Sequence, residues 1–210
     1  MKERLRKIGE CLLAGREEEI RYLTGEALKE GAPPQLVLDE GMRPAMEDLG
    51  ERFSRGVAYL PELLLAAETM KAGMEVLEPA IVRGGVAPTA TLLLGTVEGD
   101  IHDIGKNLVK MMCQGSGFRI IDLDVNVPAD RFLEVYLEKK PDLVGLSSLL
   151  TSTMGEMEKI IQRIRRADPR ARFLVGGAPI RQEFADRVGA DGYAPDAAAA
   201  VKVARKIVGK

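Results

Sequence analysis

The chain has 210 residues, 46% of them apolar and 30% charged, with 30 Lys and Arg against 32 Asp and Glu for a net charge of −2. That length suits one large domain or two of about 100 residues, and the near-neutral balance argues against a protein whose affinity comes from neutralising nucleic-acid phosphates. One histidine and two cysteines, Cys11 and Cys113, with no C-x-x-C, exclude a zinc ribbon, a disulfide scaffold and any centre needing several His ligands. No apolar run reaches the roughly 18 residues of a membrane span, and the start, MKERLRKIGECLLAG, lacks a signal-peptide core. A cytoplasmic location with no membrane partner is expected.

The first 85 or so residues predict helices throughout. Arg16 to Gly31 is rich in Glu, Leu, Ala and Lys and stops at Gly31-Ala32-Pro33-Pro34. Leu38, Met42, Met46, Leu49 and Phe53 then form an amphipathic stripe, interrupted by Pro44, which predicts a kink or two short helices. From Pro61 to Val82 a further helix carries Leu63, Ala67, Met70, Met74 and Leu77 on one face. Stripes of this kind read as the core of a small bundle, with methionine filling gaps between helices.

After Gly84-Gly85-Val86-Ala87-Pro88 the rhythm changes. Strands are predicted at Ala90–Thr96, Phe118–Val125, Asp142–Ser148, Arg172–Val175 and Gly192–Ala194. Helices are predicted near Gly105–Cys113, Ala129–Lys139, Met154–Ala167, Arg181–Val188 and Ala197–Val208. Such alternation, with nearly continuous apolar strands, indicates a doubly wound α/β fold with five parallel strands. The chain therefore divides into a helical region, 1–86, and an α/β region, 87–210.

Open α/β sheets bind ligands beyond the carboxyl ends of their strands. The segments there are Glu98-Gly99-Asp100-Ile101-His102-Asp103-Ile104-Gly105-Lys106-Asn107, then Ser147-Ser148-Leu149-Leu150-Thr151-Ser152-Thr153, then Gly176-Gly177-Ala178-Pro179, then Tyr193-Ala194-Pro195-Asp196. The only histidine, a hydroxyl cluster and a glycine pair thus converge on one edge. The first segment is no P-loop: five residues separate its glycines and Asn107 stands where Ser or Thr should bind magnesium. A G-x-S-x-G nucleophile elbow is absent as well. A lone histidine is commonly a structural or surface residue. Here Asp100 and Asp103 flank it, and an aspartate on one ring nitrogen would leave the other free for a metal. One protein ligand suffices where a macrocycle brings the remaining four.

Asp100-x-His102-x-x-Gly105, Ser147-x-Leu149 and Gly176-Gly177 together resemble the D-x-H-x-x-G…S-x-L…G-G signature of cobalamin-binding domains. Phe53-Ser-Arg-Gly-Val-Ala-Tyr-Leu60-Pro61-Glu62-Leu63 is similar to part of the helical cap that precedes this domain in cobalamin-dependent methionine synthase. The corrinoid proteins of methanol, methylamine and methoxyaromatic methyl transfer carry the same cap. The resemblance implies a four-helix bundle cap followed by a flavodoxin-like, Rossmann-like five-stranded domain holding cobalamin or a related corrinoid. It implies that His102 is the lower axial cobalt ligand, with the cofactor's own base displaced, and that Asp100 and Thr153 extend it into a proton relay. Thr153 stands where methionine synthase has serine. It further implies cofactor contacts from Gly99, Ile101, Asp103, Ile104, Gly105, Ser147, Leu149, Thr151, Gly176, Gly177, Tyr193 and Ala197. Phe53 and Leu60 would shield the upper face, and the Gly84–Pro88 linker would be the hinge.

The implied function is methyl carriage. A substrate:corrinoid methyltransferase would load the cobalt, a second methyltransferase would pass the methyl group to tetrahydrofolate or coenzyme M, and a reductive activator would rescue oxidised cobalt. The chain would be one component of that enzyme system, with no turnover alone. The alternatives are a cobalamin-binding sensor, which would carry a DNA-binding helix-turn-helix, and the small subunit of an adenosylcobalamin mutase, which would lack the helical cap.

Overall fold

A computed structural model describes residues 1–83 and 89–209. The chain forms two compact units: one takes in the bundle helices together with Gln114–Gly117, and the other begins at Thr89 and holds the rest. The expected boundary at 86/87 and the Gly84–Pro88 hinge lie outside the described residues.

The helical unit comprises α1 (Lys2–Leu13), α2 (Glu17–Lys29), the single turn α3 (Pro34–Leu36), a π-helical stretch (Val37–Met42), α4 (Arg43–Ser54) and α5 (Leu60–Arg83). The stripe forecast from Leu38 to Phe53 is there, but the irregularity lies ahead of Pro44. Proline has no N–H to give and its ring crowds the preceding turn, so the helix widens over Val37–Met42 and restarts with Pro44 in the first turn of α4. The apolar faces meet in a core that includes Ile8, Leu12, Ile20, Met42, Leu63 and Leu77, all fully buried. The segment joining α4 to α5 is different: Val57, Tyr59 and Leu60 are exposed and Phe53 is half-buried.

The second unit alternates β1 (Thr91–Thr96), α6 (Ile104–Gly115), β2 (Arg119–Asp122), α7 (Ala129–Lys139), β3 (Leu143–Ser147), α8 (Gly155–Ala167), β4 (Phe173–Gly176), α9 (Gln182–Val188), β5 (Gly192–Ala194) and α10 (Ala197–Val208). The strands pair in parallel in the order β2-β1-β3-β4-β5, the flavodoxin-like arrangement, whose switch point lies between β1 and β3. Register aligns Thr96 with Ser147, Ser147 with Gly176 and Gly176 with Ala194. The loops that carry the motifs therefore leave the sheet along one line. On one face Phe132, Phe173, Ile160, Ile164, Val144 and Val175 pack with α7 and α8, a core large enough to hold the strand ends still beneath their polar loops.

Candidate corrinoid site

The first loop begins where β1 ends. Val97 still bridges to Val127, and the Asp100 N–H then donates to the Val97 carbonyl at 3.2 Å. Gly99 occupies that turn at φ +80°, the conformation a type II turn demands at its third position. Two further contacts pin it: Asn126 Oδ1 accepts from Gly99 N–H at 2.7 Å, and Asn126 N–H donates to the Asp100 carbonyl at 2.9 Å. The hydroxyl of buried Thr96 donates to the His102 carbonyl at 3.0 Å. Six residues after the strand, the histidine backbone is thus fixed from below.

Asp100 is fully buried and its two oxygens do different work. Oδ1 lies 2.7 Å from His102 Nδ1 and accepts the His102 N–H at 3.0 Å. Oδ2 accepts from the loop after β3: the Leu149 N–H at 2.7 Å, the Leu150 N–H at 3.3 Å, the Thr153 hydroxyl at 3.2 Å and the Ser148 hydroxyl at 3.4 Å. Burial alone would push this carboxyl up, but the N–H donors of His102 and Leu149, the imidazole and Leu150 outweigh it and bring it down to about 2. Asp100 therefore stays ionised and orients the ring through Nδ1. The imidazole is half-exposed, and with Nδ1 tied to Asp100 its Nε2 is the nitrogen left for a metal.

Exposed apolar side chains flank His102 and follow Ser148 in sequence. Ile101 is 74% exposed, Ile104 64%, Leu149 43% and Leu150 38%, an unusual concentration for loops. A Cβ placed on Gly105 would meet nothing within 4 Å, so open space lies there. A flat, largely apolar macrocycle whose metal needs one ligand from below fits this combination. A metal centre built by the chain alone does not, because no group of three or more His, Cys, Asp or Glu side chains among the described residues could hold an ion.

The glycine pair has a nearer purpose than leaving room for a ligand. Gly177 has φ +128°, and a Cβ there would fall 1.8 Å from the Ser148 carbonyl oxygen. Gly176 accepts the Ser148 N–H at 3.2 Å. The β4 loop is therefore pressed directly against the backbone that presents Ser148 to Asp100.

Of the residues expected from sequence, the structure brings together Asp100, His102, Thr153, Leu149 and, through Ser148, Gly177. Gly99 sits against them, its Cβ position 3.2 Å from the Thr153 methyl. Ser147 is half-buried at the end of β3, in line with Thr96 and Gly176. Asp103 does not share the imidazole with Asp100; its carboxylate accepts from the Asn107 amide at 2.9 Å. Thr151 is exposed. Tyr193 on β5 packs partly against the sheet core, and Ala197 is buried at the start of α10, where Asp196 caps the helix through the Ala199 N–H at 2.8 Å. Phe53 and Leu60 belong to the helical unit.

Sequence reasoning missed three contributors. Ser148 was legible only as one hydroxyl among several, and Thr96 and Asn126 carried no signal beyond their places at strand ends. Lys106, where a P-loop would aim a lysine at phosphate, is fully buried, with its ammonium 2.8 and 2.9 Å from the two Asp122 oxygens. Burial raises the Asp122 carboxyl while Lys106 and Lys110 lower it further, so Asp122 stays ionised and occupies the Lys106 ammonium in place of an outside anion.

Known proteins share this fold and sequence. A B12 binding domain family matches residues 90–202, and a second B12 binding domain family matches residues 4–78. Trimethylamine corrinoid protein 2 of Methanosarcina mazei is 40% identical over 91% of each chain. A cobalamin-binding protein from Desulfitobacterium hafniense superposes with a TM-score of 0.80 at 29% identity, over 97% of this chain and 98% of that one. The methanol:cobalamin methyltransferase complex of Methanosarcina barkeri matches with a TM-score of 0.85 at 26% identity, over 99% of this chain and 80% of that one. With both regions matched by B12 binding domain families and a corrinoid protein 40% identical over 91% of each chain, the chain belongs to the B12-binding corrinoid proteins of methyltransferase systems.

Proposed function

We propose that this chain carries a methyl group between two methyltransferases on a corrinoid held base-off and His-on, with His102 Nε2 as the lower axial ligand. The observation that carries this reading is the imidazole itself, half-exposed, tied through Nδ1 to a buried, ionised Asp100 and flanked in sequence by exposed Ile101 and Ile104. When bound, the corrinoid supplies a cobalt able to accept and release the methyl group. The chain's own residues do the rest. Asp100 fixes the ring and retains the Nδ1 proton, and Thr153 holds Asp100 from the opposite side, in the place of the relay serine. The extended nucleotide tail would run past Gly105, Ser147, Thr151 and the Gly176-Gly177 turn, and the open space beside Gly105 favours that course.

The upper face would be covered by Phe53 and Leu60. Their surroundings support this, since Val57, Tyr59 and Leu60 are exposed apolar side chains on one short segment. The partners are a substrate:corrinoid methyltransferase, a methyltransferase for tetrahydrofolate or coenzyme M, and a reductive activator. The names of the relatives, trimethylamine and methanol among them, favour a simple N- or O-methyl compound as donor. A reducing cytoplasm suits the two cysteines, which are free and buried, with burial pushing the Cys113 thiol up to about 12.

The test is a desalting experiment. Wild type and His102→Ala are incubated with hydroxocobalamin, desalted, and compared by visible spectrum. Retained pigment with a His-on spectrum in wild type, altered or lost in the variant, is expected. If wild type retains no corrinoid, or the two spectra coincide, the axial assignment fails. Asp100→Asn should still bind the cofactor while moving the pH at which His102 ligation is lost.

A further inference from the structure

Asp100 is held by more hydroxyl groups than one relay needs. Ser148 and Thr153 are both buried, and their oxygens lie 2.9 Å apart. Each reaches Asp100 Oδ2, at 3.4 and 3.2 Å, and each reaches the Leu150 carbonyl oxygen at 3.1 Å. Two hydroxyls carry two donatable protons, while Asp100 Oδ2, the Leu150 carbonyl and the neighbouring hydroxyl all accept. Two arrangements satisfy every group equally: one hydroxyl donates to Asp100 while the other donates to Leu150, or the reverse. Only hydrogens move between them, because both oxygens already stand within reach of both acceptors. The Gly177 contact with the Ser148 carbonyl and the Gly176 hydrogen bond to its N–H keep Ser148 in this position.

We propose that Ser148 is a second positioning residue for His102, interchangeable with Thr153 as the hydroxyl donor to Asp100. Either hydroxyl alone keeps the carboxylate aimed at Nδ1. Loss of both leaves Oδ2 with backbone donors only, and the carboxylate can turn. The proposal deepens the assignment of His102 as lower ligand and rests on it for its functional consequence. Its geometry concerns only the chain's own side chains.

His102 is the only histidine, so nitrogen-15 histidine labelling of the 210-residue chain without corrinoid gives one imidazole and a direct reading of its tautomer. With the ring neutral, wild type should hold the proton on Nδ1. Ser148→Ala and Thr153→Val should each change the tautomer ratio by less than about twofold. The double variant should change it about tenfold, the scale of one hydrogen bond to a charged group. Adding Ser back, as Ser148→Ala with Thr153→Ser, should restore the wild-type ratio, which a general loosening of the fold would not do. A Thr153→Val effect as large as that of the double variant, with Ser148→Ala silent, would overturn the proposal, as would a silent double variant. A crystal structure of Thr153→Val tests the same point should the double variant not fold: Ser148 Oγ should draw in on Asp100 Oδ2 from 3.4 Å, and an unchanged separation counts against it. Corrinoid retention, measured separately on wild type and His102→Ala, reports on the ligand assignment, so the two failures are told apart.

Discussion

In the helical unit, Thr24 and Thr69 are the buried polar side chains among the described residues of α1–α5, set in a core of aliphatic side chains and methionine. In the α/β unit Thr96, Asp100, Lys106, Ser148 and Thr153 are all buried, every one at or just beyond the carboxyl end of a strand or in the first turns of α6. An apolar core tolerates exchange of side chains of similar volume, since its energy follows area and fit. A buried polar group must keep specific partners, because leaving one unpaired costs the whole of its desolvation. The exposed apolar residues follow the same division. Those near the start of α5 are simple surface side chains as far as stability goes, whereas those beside His102 rim a polar network that must stay in place.

Three changes test this contrast. The largest effect is expected for Gly177→Ala, which forces a β-carbon onto the Ser148 carbonyl and a side chain into φ +128°. We expect a loss of more than about 3 kcal/mol, seen as a large fall in Tm; a wild-type Tm would mean that the β3 loop yields easily. Next comes Asp100→Asn. The Asp100 carboxyl lies at about 2 in the folded chain against an ordinary 3.8, so its contribution is complete above pH 4 and disappears as the pH falls through the folded value. Wild type should exceed the variant by about 2 kcal/mol at neutral pH, and urea titrations should show the gap closing toward pH 2. A gap that is constant with pH would assign the loss to packing. The smallest effect is expected for Tyr59→Ser and Leu60→Ser, whose side chains are 68% and 37% exposed. Stability should change by less than about 0.5 kcal/mol, and a fall comparable with that of Asp100→Asn would erase the distinction between the two units.

Much of the architecture was legible because it depends on local periodicity. The predicted strand at Gly192–Ala194 and the predicted helices at Ala129–Lys139 and Ala197–Val208 have the observed bounds, and the other predicted elements of the α/β unit shift by only a few residues. The bundle was read correctly as helices, and the break expected at Pro44 falls in the turn before it, which is π-helical and gives way to α4. At the site, the resemblance named Asp100 over Asp103 as the imidazole's partner, and Asp100 is the one found on Nδ1. Ser147 is the last residue of β3 and Ser148 the first beyond it; the signature drew attention to Ser147, whereas Ser148 is the one that reaches Asp100.

The sequence by itself determined the order and type of the elements, the parallel sheet, and the edge on which the histidine, the hydroxyls and the glycines would gather. Each of these follows from hydrophobic period, turn residues and the rule that loops leave a parallel sheet at its carboxyl ends. Only the tertiary structure decided that Ser148 joins Thr153 behind Asp100, that Gly177 makes room for a backbone carbonyl, and that Lys106 closes on Asp122. Those outcomes depend on loops from β1, β2, β3 and β4 meeting within hydrogen-bonding distance, and the angstrom-scale register that sets such meetings comes from the packing of the whole sheet.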